Sequence, residues 1–170
     1  MFILIQTIGG LGYFLLGLSY YGKVKKDILF VQIISYIMFV IHYYMLGGIT
    51  GSICNLLGLI GFLVIYFLEK KHKKLLNILI VPIILSIIIA SLFTFKNLYS
   101  IFPIFGSISV LISFLEKDEK LIRLIGIFSA VCWLVYAIYC NSYVAIVFEI
   151  LLLISTSISI LKNNRNKKNV

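Results

Sequence analysis

The sequence predicts an all-α membrane protein with seven transmembrane helices, and composition and patterning carry that prediction. Of the 170 residues, 62% are apolar and only 12% are charged, whereas a soluble domain needs about 25% charged residues to cover its surface. The apolar residues form blocks of about 17–22, long enough to cross a hydrocarbon layer of about 30 Å. Because the blocks lack the alternation of barrel strands, helices must satisfy the backbone.

The blocks follow one another with short segments between them. The predicted helices span 3–21, 28–47, 52–68, 75–95, 98–115, 121–140 and 143–161. We expect one transmembrane domain over 1–170, with no room for a separate catalytic domain. Within it we predict a first three-helix repeat (1–68), a linker helix (69–96), a second three-helix repeat (97–162) and a basic cytosolic tail (163–170).

The basic residues predict the orientation. All Lys and Arg except Lys96 fall in four segments: 22–27 after the first helix, 69–74 after the third, 116–123 after the fifth and 162–170 after the seventh. An odd number of crossings places all four on one side. Because short cytoplasmic loops carry the excess of positive charge, we predict that the N-terminus is outside and the C-terminus inside. The net charge of +9 then reflects a basic membrane collar, and we expect no nucleic-acid partner.

An internal repeat relates the first three helices to the last three. A shift of 94 residues aligns Gly12 with Gly106 and superimposes the loop that follows helix 1 on the loop that follows helix 5, without a gap. Both halves then have the same orientation in the membrane, as in transporters with parallel repeats, whose solute site lies between the halves. This predicts a 3+1+3 architecture.

Polar side chains inside the apolar blocks are the candidate site, because ionisable groups in a bilayer are costly. The second helix of each half offers an aromatic residue, Phe39 or Trp133, and sixteen residues later the third helix offers Asn55 or Glu149. The repeat also aligns His42 with Tyr136. We predict that these six residues lie at similar depth and bind a solute. Glu149 is the candidate for proton coupling, and Pro103, which lacks an N–H, is a candidate hinge.

Other interpretations of these residues remain open. Glu149 is alternatively a carboxyl paired with His42 that holds the halves together, or a protonated carboxyl that the core tolerates. His42 is alternatively a hydrogen-bonded packing residue. Trp133 is alternatively an anchor at the membrane interface.

We predict no metal, no cofactor and no enzymatic activity. Cys54, Cys132 and Cys140 show no metal-ligand spacing, and no nucleophile is paired with a base. Buried Cys is usually an apolar filler, although a Cys54–Cys140 disulfide near the outer surface is an alternative.

The junction between the second and third helices resembles a known family. The stretch is His42-Tyr43-Tyr44-Met45-Leu46-Gly47-Gly48-Ile49-Thr50-Gly51, followed by Asn55. It resembles the YgjV-type bacterial inner-membrane proteins, which are similar to the PQ-loop and SWEET transporters. The resemblance implies a multi-pass protein of the bacterial inner membrane. It also implies that Trp133 and Asn55 contact the solute, with Phe39 and Glu149 as departures from the pattern. The Pro-Gln dipeptide of the PQ-loop proteins is absent, since Ile104 follows Pro103.

Two functions follow as expectations. The first is a transporter for a small solute, sugar-like or another small polar metabolite, that works by rocking of the two halves. The second is a receptor or scaffold with the same fold, in which the polar residues hold the helices together. The expected partners are the lipid bilayer and the solute, and homo-oligomerisation is left open.

Overall fold

The structure, a computed structural model, describes residues 1–19, 24–68 and 73–168, and these form helices without β-strands. Seven α-helices follow one another: α1 (Phe2–Ser19), α2 (Lys25–Met45), α3 (Ile49–Leu68), α4 (Lys73–Phe93), α5 (Ile101–Leu115), α6 (Glu119–Tyr139) and α7 (Tyr143–Lys168). A 3₁₀ turn, Leu98–Ser100, leads into α5. The helices occupy the seven predicted blocks. The basic residues Lys23, Lys70 and Lys71 lie outside the described residues.

The end of the chain differs from the prediction. The backbone of α7 continues as a helix to Lys168, beyond the predicted end at 161 and through most of the predicted tail. Residues 169–170 lie outside the described part of the chain.

Six helices have the length and apolarity of membrane spans. They are α1, α2, α3, α5 with its leading turn, α6, and α7 up to Leu161. The apolar part of α4 among the described residues is shorter, Ile78–Phe93. Large apolar side chains cover the outside of the bundle: Phe14, Leu92 and Phe105 are all more than half exposed. A water-soluble monomer rarely exposes so much apolar surface, so this surface faces lipid.

Six of the helices form a ring around a central space. Each packs on its neighbour in the chain within two sets, α1–α2–α3 and α5–α6–α7, and the sets meet where α3 packs on α5 and α1 packs on α7. The middle helices α2 and α6 face each other through aromatic side chains, and the ring centroids of Tyr43 and Trp133 are 5.4 Å apart. Helix α4 stands outside the ring, mainly against α3.

The turns α2–α3 and α6–α7 have the same geometry. In each, a residue with positive φ follows the last helical turn: Gly47 at 76° and Asn141 at 56°. Two backbone hydrogen bonds close each turn in the Schellman pattern. In the first turn, the N–H groups of Gly47 and Gly48 donate to the carbonyls of Tyr44 and Tyr43, respectively. In the second turn, the N–H groups of Asn141 and Ser142 donate to the carbonyls of Ile138 and Ala137, respectively. Each group of the second turn lies 94 residues after its counterpart in the first.

The alternating helix directions give the bundle two distinct ends. The two Schellman turns lie at one end, with the starts of α1 and α5, and we call it the turn end. The opposite end holds the end of α1 and the starts of α2 and α6, and we call it the basic end. Lys26 lies there with its ammonium 5.0 Å from the centroid of the Tyr66 ring.

The cysteines do not form the alternative disulfide. Cys54, Cys132 and Cys140 are buried and free. The thiol of Cys54 lies 3.4 Å from the hydroxyl of Ser91 on α4, so this cysteine packs at the α3–α4 contact.

Candidate functional site

A cavity of about 1000 Å³ lies inside the ring of helices and reaches the basic end. All six ring helices contribute to its wall. The polar and aromatic residues of that wall are Tyr13, Gln32, Tyr36, Phe39, Tyr43, Asn55, Ser113, Phe114, Glu116, Arg123, Ser129, Trp133, Glu149, Ser155, Thr156 and Ser159. The volume suits a small molecule.

The carboxylate of Glu149 lies at the inner end of the cavity and is 6% exposed. Its Oε1 accepts a hydrogen bond of 3.0 Å from the hydroxyl of Tyr13 on α1. The Tyr13 ring lies between Phe39 and Phe148, with centroid distances of 4.6 and 5.1 Å. Aromatic packing therefore fixes the hydroxyl that orients the carboxylate. The alternative pairing of Glu149 with His42 is not formed.

Two buried polar groups in the cavity wall have no hydrogen-bond partner among the described residues. They are the hydroxyl of Tyr43 and the Oε1 of Gln32. Both residues are nearly inaccessible, at 1% and 3% exposure. An unpaired polar group buried in a protein costs about 1–3 kcal/mol, and each such group calls for an explanation. Both atoms have almost no accessible surface, so they do not open into the cavity as it stands.

Asn55 also contributes an acceptor. Its Nδ2 donates to the carbonyl of Gly51, one turn earlier in α3, at 2.8 Å. Its Oδ1 accepts no hydrogen bond from the described residues and is left for a ligand.

Each predicted aromatic residue packs against a glycine of the preceding helix in its own half. A Cβ at Gly12 would lie 2.8 Å from the Phe39 ring, and a Cβ at Gly106 would lie 2.8 Å from the Trp133 ring. Both rings line the cavity. The glycines therefore allow the rings to lie flat against the helices and leave the central space open. Trp133 is 7% exposed, so it is a cavity residue and not an interfacial anchor.

His42 and Tyr136 do not line the cavity. The ring of His42 contacts the carbonyl of Ile5 through Nδ1 at 2.8 Å and the hydroxyl of Ser142 through Nε2 at 2.7 Å. The hydroxyl of Tyr136 accepts a hydrogen bond of 3.0 Å from the N–H of Gly51. Each side chain reaches from the middle helix of one half to the other half.

Gln6 adds a third connection between the halves. Its Nε2 donates to the carbonyl of Asn141 at 3.1 Å, and its Oε1 accepts from the N–H of Val144 at 3.2 Å. Together Gln6, His42 and Tyr136 form a layer of hydrogen bonds, which we call the closing layer. It separates the cavity from the turn end.

The opposite opening is lined by charged residues. Arg123 donates to the carbonyl of Ser159 at 3.3 Å and forms an ion pair of 3.4 Å with Glu119. Glu116 is partly exposed, and its Oε1 accepts hydrogen bonds from the backbone N–H groups of Lys117 and Asp118. These bonds favour the charged carboxylate and hold the pKa of Glu116 below its ordinary value.

Comparison with known proteins identifies the family. The family model of Imp-YgjV, described as a bacterial inner membrane protein, matches residues 3–167. The chain belongs to the Imp-YgjV family. No curated protein and no solved structure matches it. With its membrane-spanning helices, this Imp-YgjV member is a multi-pass protein of the bacterial inner membrane.

Four of the six predicted site residues of this Imp-YgjV protein meet at one cavity: Phe39, Asn55, Trp133 and Glu149. His42 and Tyr136 lie one helical turn nearer the turn end, in the closing layer. Pro103 is buried in the first turn of α5, where a proline breaks no helical hydrogen bond. Its role as a hinge stays a prediction.

Sequence reasoning missed several cavity residues, among them Tyr13, Gln32 and Tyr43. Gln32 could have been found, because it is a polar residue inside an apolar block. Tyrosines are frequent in this chain, so nothing in the sequence distinguished Tyr13 and Tyr43 from ordinary core residues.

Proposed function

We propose that this protein transports a small solute across the bacterial inner membrane, through a site between its two three-helix halves. One observation carries the proposal. The cavity between the two halves has the polar side chains of Asn55 and Glu149 in its wall, and among the described residues its lining extends to the basic end and not to the turn end. Such a cavity fits one state of a transporter that opens to the two sides in turn.

The 3+1+3 parallel repeat, with its similarity to SWEET and PQ-loop transporters, is part of this proposal. Three observations support it. The Schellman turns recur at an interval of 94 residues. The contacts of Gly12 with Phe39 and of Gly106 with Trp133 recur at the same interval. A two-fold axis along the membrane normal would exchange the α3–α5 contact with the α7–α1 contact, and both are present. Helix α4 then serves as the linker.

The proposed orientation has the turn end outside and the basic end inside. It requires α4 to cross the membrane, and its 21 residues give a length of about 31 Å at 1.5 Å per residue, enough for the hydrocarbon core. Seven crossings then place the basic segments on the cytoplasmic side. In this orientation the cavity opens to the cytoplasm, and the closing layer seals the outside.

Transport then requires the two halves to rock about the site. The closing layer would separate, and the basic end would close around Arg123 and Ser159. Glu149 is the group in the cavity that can exchange a proton with the solute or the solvent during this cycle. The α5 segment that begins at Pro103 is the proposed hinge.

The test of transport is a solute screen on the purified protein. Thermal unfolding would be measured in detergent at pH 5.5 and 7.5 with sugars, nucleosides, vitamins, amino acids and amines, because a ligand that binds the native state raises Tm. We expect a solute-specific rise that is lost in Asn55→Ala and in Glu149→Gln. The matched control is Asp27→Asn, which removes an exposed carboxylate outside the cavity.

A solute that passes this screen is then tested for flux into proteoliposomes. Flux that depends on the protein and on Asn55 supports transport. If no solute raises Tm or crosses the membrane, and the cavity variants are only less stable, the transport proposal fails. The receptor or scaffold hypothesis then replaces it.

The orientation and the closed end have a separate test by cysteine labelling. Cys54, Cys132 and Cys140 would first be replaced by Ala. Thr156→Cys in the cavity wall should react with a membrane-impermeant maleimide only from the cytoplasmic side. Lys96→Cys, exposed near the turn end, should react only from outside. Labelling of both positions from the same side would refute the proposed arrangement.

A further inference from the structure

We propose that the ligand of this cavity is a small protonated amine with an apolar body. The inference rests on the proposed function, because it names the solute class for the same site. It comes from the charge, the hydrogen-bonding groups and the ring faces that the described residues present to the cavity.

The first step concerns charge. Glu149 is the acidic residue in the buried part of the wall, and its described hydrogen bond comes from the neutral hydroxyl of Tyr13. The basic residue of the wall is Arg123. It lies ten residues before Trp133 on α6, about 15 Å away along the helix at 1.5 Å per residue. Its guanidinium is bonded to the carbonyl of Ser159 and to the carboxylate of Glu119. A buried carboxyl without a counter-ion is ionised only at a cost and otherwise takes up a proton. A cationic ligand would supply the counter-ion and keep the carboxylate charged.

The second step concerns hydrogen bonds. Three of the four serines of the cavity wall donate their hydroxyl protons to backbone carbonyls: Ser129 to Gly106, Ser113 to Val110 and Ser155 to Leu152. A hydroxyl that donates in this way offers only lone pairs to the cavity.

The amide group of Asn55 adds a further acceptor. The Oδ1 of Asn55 is left over after its Nδ2 bonds to Gly51, whereas the Oε1 of Gln32 is unpartnered within the described residues but has almost no accessible surface. Around Glu149 the acceptors therefore outnumber the donors, of which the Trp133 indole N–H is one. Thr156, Ser159 and Arg123 add donors nearer the basic end. An ammonium group is a pure donor and matches the set around Glu149, whereas a carboxylate ligand would meet Glu149 and acceptor oxygens.

The third step concerns the rings. Phe39, Tyr43 and Trp133 surround the same space, and the Tyr43 and Trp133 rings lie 5.4 Å apart and are tilted by 37°. Ring faces attract cations, most strongly that of Trp. They also cover an apolar body. A sugar, with hydroxyls on every side, would leave much of this aromatic wall unmatched.

The test compares three probes with one phenylethyl body. They are 2-phenylethylamine, which is a cation at pH 7.5, 2-phenylethanol, which is neutral, and 3-phenylpropionate, which is an anion. Binding to the full chain in detergent is measured by calorimetry, and flux is measured in proteoliposomes. We expect the amine to bind and to cross, and the alcohol and the acid to bind at least about tenfold more weakly, because charge-assisted hydrogen bonds are the stronger ones.

Two variants locate the amine. Glu149→Gln keeps an oxygen that accepts the Tyr13 hydrogen bond but removes the charge, so we expect about 10- to 100-fold weaker amine binding. Asn55→Leu removes the neutral acceptor that Asn55 leaves free in the cavity wall, at a similar volume, and we expect about 2- to 10-fold weaker binding. Asp27→Asn is the control and should bind as the wild type does. If Glu149→Gln does not fold, Asn55→Leu still tests the site.

The outcomes separate this inference from the proposed function. Binding of the amine that neither variant weakens would overturn it. Tighter binding or faster flux of the alcohol, of the acid or of a sugar would also overturn it, while transport of a small solute would stand. Failure of every solute in both assays would overturn both proposals.

Discussion

The hydrogen bond between Tyr136 and Gly51 gives a sharp test of the closing layer. Gly51 lies in the first turn of α3, where a backbone N–H has no partner within the helix, and the Tyr136 hydroxyl accepts it at 3.0 Å. Tyr136 is 1% exposed, so water cannot replace the hydroxyl. Tyr136→Phe leaves this buried N–H unpaired, which costs about 1–3 kcal/mol.

For a chain of this size, about 1 kcal/mol shifts Tm by about 2–4 °C. We therefore expect Tyr136→Phe to lower Tm by about 2–12 °C. Thermal unfolding in detergent can be followed by the fluorescence of Trp133, which is the single tryptophan. The fold of the variant is checked by circular dichroism before heating.

Tyr43→Phe is the matched control. It removes the same atom from a tyrosine that is equally buried, but the Tyr43 hydroxyl makes no hydrogen bond of ordinary length in the described part of the chain. We expect Tm to stay the same or to rise. If Tyr43→Phe lowers Tm as much as Tyr136→Phe does, then the loss of stability does not depend on whether the removed hydroxyl was hydrogen-bonded. That result would refute the reasoning.

Two further predictions concern the helix contacts and the loop at the opening. Gly106→Ala places a Cβ 2.8 Å from the Trp133 ring, so we expect its free energy of unfolding, measured by chemical denaturation, to fall by about 1–3 kcal/mol. The control is Gly126→Ala, whose Cβ meets nothing within 4 Å. This control variant should be as stable as the wild type or more stable. The pKa of Glu116 is lowered by its hydrogen bonds to the backbone. These bonds therefore stabilise the folded loop fully at pH values above the ordinary Glu pKa of about 4.3. This stabilisation is lost as the pH falls through the lowered pKa of Glu116. The Tm difference between wild type and Glu116→Gln should therefore be constant from pH 5.5 to 7.5 and shrink below about pH 4, and a difference that grows on acidification would contradict this sign.

The helices were predictable because the sequence repeats its physical pattern along the chain. Long apolar blocks can satisfy their backbone only as helices, and basic segments mark the ends of the blocks. The proposed repeat also predicted that Phe39, Asn55, Trp133 and Glu149 lie at a similar depth, since a shared position in two halves implies a shared depth, and all four line the cavity. The start of α5 was less predictable, because Ser100 and Pro103 continue an apolar block in which a 3₁₀ turn leaves no signature.

The partners of the polar residues were not predictable in the same way. Tyr13 and Glu149 are bonded across 136 positions of the chain, and only the contact of α1 with α7 brings them together. His42 and Tyr43 are neighbours in sequence, but adjacent residues of a helix point about 100° apart. His42 therefore reaches Ser142 in the closing layer, and Tyr43 faces the cavity.

The closing layer also sets a scale for how rarely the outer side can open. It contains four hydrogen bonds between the halves, two from Gln6 and one each from His42 and Tyr136. At about 0.5–1.5 kcal/mol each, their simultaneous loss would disfavour an outward-facing state by about 30-fold to 10⁴-fold. Under the proposed orientation, an empty protein would then open to the cytoplasm nearly all the time. A solute that drives the exchange must bind the outward state more tightly by a comparable factor, unless new contacts at the basic end supply part of it.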